Sequence, residues 1–219
     1  MKTPLFVFLL IGYLFSPAFG QQVIELKNPS FEDVPRKGVI GQLISDWEDC
    51  GSYNFPGESP PDIHPLPDPG AWGVSDPAYE GMTYLGLVAR ASNTYESVTQ
   101  QLDQPLQRDN CYEIKVYLSI SEKYESPTKE SLKALVNFNH PLALLIWGGN
   151  GYCSRQQLLL HTAPVSSKDW TLYTIYFSPN DNYEYITIGG FYAYGYQEPY
   201  NGHILIDALS PIVEIDCKE

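Results

Sequence analysis

Little in this sequence argues for helices, a membrane span or a familiar catalytic centre. After the first twenty residues, no apolar run reaches the roughly 18 residues that a membrane-crossing helix needs. G-x-S-x-G, H-E-x-x-H, the P-loop and G-x-G-x-x-G are all missing. His64, His140, His161 and His203 do not fall at metal-ligand spacings. The N-x-S/T glycosylation signal is also missing. Basic residues are scarce: 13 Lys and Arg stand against 26 Asp and Glu, for a net charge of −13. That balance argues against nucleic acid and anionic membrane as partners.

What is present begins with a leader. Lys2 opens it, Leu5 to Phe15 form an apolar run too short to span a bilayer comfortably, and Ser16-Pro17 breaks that run. Ala18-Phe19-Gly20 offers small residues at a cleavage site, so residues 1–20 read as a secretory signal peptide cut between Gly20 and Gln21. The expected home is secreted or cell-envelope, with no membrane insertion. Residues 21–219 then suit one domain with a sizeable core.

That domain is expected to be all-β. Seventeen Tyr, 9 Phe and 4 Trp are punctuated by 18 Pro and 17 Gly, which favours strands and turns. Cys111 to Ile120 alternates most clearly, with Tyr112, Ile114, Val116, Leu118 and Ile120 on one face. Further strands are expected at 23–26, 83–88, 96–102, 132–138, 143–147, 170–177, 185–191 and at a closing run near 204–209. Residues 154–161 fit a short helix or a strand. Residues 48–77 read as a long Pro/Gly/Asp-rich loop, of a length that is usually functional or crosslinked. About nine or ten short strands point to an antiparallel β-sandwich of jelly-roll type.

Four cysteines remain in the processed chain, and an even count in a secreted protein favours two disulfides. Three pairings are possible. Cys111 opens one strand and Cys217 closes another; antiparallel neighbours would bring these ends together. The favoured pairing is therefore Cys111–Cys217 with Cys50–Cys153.

The order of several short motifs resembles a known group. Asn28-Pro29-Ser30-Phe31-Glu32, a following Trp, Tyr84-Leu85-Gly86-Leu87, Gln100-Gln101-Leu102, Cys111 to Leu118 and a final Ile204-Leu205-Ile206-Asp207-Ala208-Leu209 resemble galactose-binding-domain-like jelly rolls. Among these, bacterial carbohydrate-binding modules are the most similar. The resemblance implies a structural Ca²⁺ held by Glu32 and Asp207, with help from around Ser30, joining the two chain ends. It also implies a non-catalytic protein whose partner is a polysaccharide or other glycan, met through loop aromatics and nearby polar groups. The candidate contacts are Trp72, Arg90, Tyr95, Trp147, Tyr152, Tyr196 and Tyr200. Two other readings stay open: an interaction domain for a cell-surface protein, using the 48–77 and 192–200 loops, and a small glycan-active enzyme, for which Glu80 and Glu96 are the carboxylates to inspect.

Overall fold

A computed structural model describes residues 21–41, 44–54, 56–65, 72–128, 135–195 and 198–217. The expected signal peptide, Tyr196 and Gln197 lie outside these described residues. The strands in chain order are β1 (Val23–Ile24), β2 (Glu48–Asp49), β3 (Asp62–His64), β4 (Tyr84–Arg90), β5 (Thr94–Leu106), β6 (Cys111–Ser119) and β7 (Glu125–Pro127). After them come β8 (Leu135–Asn137), β9 (His140–Gly149), β10 (Gln157–His161), β11 (Thr171–Phe177), β12 (Tyr183–Tyr192), β13 (Gly202–Asp207) and β14 (Ile212–Ile215). A single helical turn, α1, covers Gly51–Asn54.

The protein is a β-sandwich. One layer runs β3-β4-β13-β6-β11, with β14 pairing β6 beyond the end of β13 and β1 closing on β14. The other layer runs β2-β5-β12-β9-β10. The β4–β5 hairpin crosses between the layers at Ala89 and Tyr95. Among the described strands the pairings are antiparallel apart from a short parallel one between β13 and β9 at Gly202 and His140, and Glu58 makes an isolated parallel bridge to Tyr95.

Alternation along the strands builds the core. Ile114, Val116 and Leu118 of β6, Ile204 and Ile206 of β13, and Leu85 and Leu87 of β4 face inward from one layer. Val98, Ile186, Ile188, Leu142, Leu144 and Ile146 face them from the other. β13 and most of β4 are buried on both faces, which is why their sequences read as continuous apolar runs rather than alternating ones. Residues 157–161 resolve as strand, and the expected loop at 48–77 contains β2, α1 and β3.

Both disulfides form as the strand ends implied. Cys111–Cys217 joins the start of β6 to the chain just past β14, and Cys50–Cys153 crosslinks two loops. Ile188→Ala, at a side chain with no exposure, is expected to cost about 2–5 kcal/mol, measured by urea unfolding.

Candidate functional site

The sequence motif at the N-terminus makes a tight plug at one end of the sandwich. Asn28 Oδ1 accepts the Glu32 amide at 2.8 Å, and Asn28 Nδ2 donates to the Ser45 carbonyl at 2.8 Å. Phe31, held at a left-handed φ of 52°, tilts against Trp47 with ring centroids 5.2 Å apart. Both rings are buried. The motif's Phe and Trp therefore serve packing.

Beside that plug, two carboxylates from opposite chain ends grip one turn. Asp207 Oδ2 accepts the amides of Tyr79 and Glu80 at 2.8 and 3.0 Å, and its Oδ1 accepts the Ala208 amide at 2.7 Å. Glu32 Oε1 accepts the amides of Met82 and Thr83 at 2.9 and 3.2 Å. Gly81 is obligatory in this turn. Its φ is +65°, and an added Cβ would lie 2.0 Å from Glu32 Oε1. Burial, opposed by those amides and helped by Glu32, pushes the Asp207 carboxyl up to about 6. Ser30 Oγ donates to Glu80 at 3.2 Å. Among the described residues, no group of three or more His, Cys, Asp or Glu is placed to hold a metal ion.

The outer face of the β5-β12-β9 sheet carries two expected ligand residues, Tyr95 and Trp147, and the chain covers both itself. The guanidinium of Arg155 lies 4.8 Å from the Trp147 ring centroid and 5.1 Å from that of Tyr95. Its Nη2 donates to both oxygens of Glu58, at 2.8 and 2.9 Å, and to Ser97 Oγ at 2.8 Å. Glu58 is only 2% exposed, so this ion pair is the condition for burying it.

The remaining candidates separate in the same way. Arg90 pairs with the buried Glu96 at 2.7 Å. The other Glu96 bonds come from Ser59 Oγ and the Val88 amide, and burial pushes its carboxyl up to about 8. Glu96 is thus buried and paired, whereas Glu80 is exposed and accepts a hydrogen bond from Ser30. Trp72 donates to Asp62 at 2.9 Å under the Lys37 ammonium. The Tyr200 hydroxyl accepts the Ala193 amide and donates to the Pro141 carbonyl. Each of these side chains thus makes contacts within the fold.

Tyr152 is different. It is 50% exposed and lies parallel to Tyr53, which is 55% exposed, with centroids 5.9 Å apart and planes 9° apart. Tyr185 of β12 meets Tyr152 edge-on at 5.2 Å. Tyr152 borders a depression of about 250 Å³, whose wall also includes Lys27, Asp46, Glu48 and Gln101. Tyr53 went unnoticed in the sequence because residues 48–77 read as one irregular loop, whereas the structure places it in α1. The signal that would have found it is its distance of three residues from Cys50, which mirrors Tyr152 beside Cys153.

No protein-family profile matches this sequence, and no curated protein matches it. Solved structures similar to it share little sequence. An arabinose-bound MgGH51 α-L-arabinofuranosidase is 12% identical, with a TM-score of 0.50 over 89% of this chain and 27% of that one. The CBM22-1 xylan-binding domain of Paenibacillus barcinonensis Xyn10C is 12% identical, with a TM-score of 0.46 over 90% of this chain and 97% of that domain. The K3 cleaved adhesin domain of Lys-gingipain from Porphyromonas gingivalis is 10% identical, with a TM-score of 0.45 over 89% and 99%. At these identities the likeness concerns the fold, the jelly-roll sandwich that the strand order describes.

Two histidines are buried on the far side of the β4-β13 layer. His203 accepts the Ser121 amide at Nε2 and meets the Phe138 carbonyl through Nδ1. His64 meets Tyr124 at 3.4 Å, and its Nδ1 has no partner. Burial lowers His64 to about 3 and His203 to about 4. Unfolded histidines protonate near 6.5, so the unfolded state takes up these protons first as pH falls. Their stabilisation is complete above about 6.5 and is lost toward about 4 for His203 and about 3 for His64. His64→Phe is expected to flatten the loss of Tm between pH 7 and 4.5, followed by calorimetry; an unchanged slope would refute the assignment.

Proposed function

We propose that this chain is a secreted, non-catalytic carbohydrate-binding domain, and that Tyr152, Tyr53 and Tyr185 form its contact surface. The observation that carries the reading is the exposed, parallel tyrosine pair beside a polar depression. A pyranose presents an apolar face that stacks on an aromatic ring and hydroxyls that need hydrogen-bond partners. The pair supplies the first requirement, and Glu48, Asp46 and Gln101 supply the second. The jelly-roll fold, shared with structures described as a xylan-binding domain and as CBM4, accords with this reading. Two disulfides accord with an extracytoplasmic home.

The test is a glycan array followed by titration calorimetry. Tyr152→Ala and Tyr53→Ala are each expected to weaken the best glycan about tenfold or more, on the scale of a lost aromatic contact. Trp72→Phe is expected to leave affinity unchanged. Failure of every polysaccharide to bind would overturn the reading. Recovery of a cell-surface protein in its place would favour the interaction domain.

Calcium at Glu32 and Asp207 is proposed on the resemblance, supported by two carboxylates from opposite chain ends meeting at one turn. Backbone amides already occupy three of their oxygens, so an ion adds to that closure rather than creating it. EDTA is expected to lower Tm by a few degrees, read by calorimetry against a calcium-replete sample. An unshifted Tm would leave the amide bonds as the whole closure.

A further inference from the structure

The two disulfides occupy different mechanical settings. Cys111–Cys217 links segments that are already hydrogen-bonded, since Ile215 of β14 sits opposite Cys111 of β6. Cys50–Cys153 spans 103 residues and links the α1 segment to the turn after β9. Among the described residues, no strand pairing joins those two segments. Tyr53 follows one of these cysteines by three residues and Tyr152 precedes the other directly.

Each arm is fixed on its own side of the crosslink. On the first, Asp49 accepts the Gly51 amide at 2.7 Å and the Ser52 hydroxyl at 2.9 Å, which sets the turn that presents Tyr53. On the second, the Ser154 carbonyl accepts Thr187 Oγ1 at 3.2 Å, and Ser154 fills the space over Gly149. Arg155 then reaches back to Glu58, closing a small ring of chain with the disulfide at one point and the ion pair at another. The exposed phenols project from this ring, with no other covalent or ladder connection between the arms that carry them.

We infer that Cys50–Cys153 is a positioning element of the glycan site: it holds Tyr53 parallel to Tyr152, and opening it dismantles the contact surface while the sandwich stays folded. This rests on the glycan reading of the tyrosine pair. Ring stacking on a sugar is sensitive to ring orientation, and freeing Tyr53 adds its ordering entropy to the cost of the binding step. Binding therefore depends on an oxidising compartment through this crosslink alone, and Cys111–Cys217 has no part in it.

The experiment compares Cys50→Ser/Cys153→Ser with Cys111→Ser/Cys217→Ser and with Tyr53→Ala, measuring glycan Kd, Tm and the near-ultraviolet circular dichroism of tyrosine. Removing Cys50–Cys153 is expected to weaken Kd about tenfold and to reduce the tyrosine signal. Removing Cys111–Cys217 is expected to lower Tm with Kd unchanged. In a Tyr53→Ala background, loss of Cys50–Cys153 is expected to cost nothing further, because both changes act through one ring. An unchanged Kd, or a full additional loss in that background, overturns the inference. Should the serine pair fail to fold, reduction and alkylation of the already folded protein gives the same comparison. Should no glycan bind the unaltered protein, the functional reading falls by itself. The tyrosine signal then decides this one: retained without Cys50–Cys153, it overturns the positioning role.

Discussion

A buried carboxylate must find donors, and this chain uses that requirement to fasten its long loops. Asp207 takes amides from the 79–83 turn, which the exposed Glu32 also grips. Glu58 takes Arg155. Asp62 takes Trp72, the Gly38 amide and the Tyr124 hydroxyl. Glu96 takes Arg90. For Asp207, Glu58 and Asp62 a donor comes from a distant stretch of chain, so satisfying the carboxylate fixes where a loop lies. Removing one donor would leave an unpaired charge inside the protein, a penalty of several kcal/mol. Part of the acidic composition is therefore an internal fastening system.

This explains why the outer faces of both layers are so heavily covered. Residues 72–78, 120–128 and 135–138 bury Tyr84, Val88 and Leu205 under a second small core that includes Val74, Tyr124 and Phe138. Residues 56–59 and 150–156 lie over the β5-β12-β9 face, with Arg155 laid over Trp147 and Tyr95. Tyr53 and Tyr152 are carried on the segments at 50–54 and 150–156 and stay half exposed, ring against ring.

The sandwich was legible because its information is local. Alternation in Cys111 to Ser119 announced an inner face, and strand ends were enough to pair the cysteines. The site was much less legible because its information is relational. Trp72, Trp147, Tyr95 and Tyr200 have the composition of sugar contacts, yet each also meets a partner within the fold that composition does not reveal. Tyr152 emerged from the same list as a surface ring, and Tyr53 escaped it. Asp207 was readable as an acid in need of partners, whereas the identity of those partners, three backbone amides, leaves no mark in side-chain chemistry.

The pairing of β1 with β14 brings Val23 opposite Val213, and the Cys111–Cys217 crosslink sits at the same margin of the layer. The first and last described strands therefore emerge side by side, as neighbours in one ladder. A short linker from residue 217 to residue 21 would join them without crossing the protein, which makes this topology receptive to circular permutation, with new ends opened in an exposed loop elsewhere.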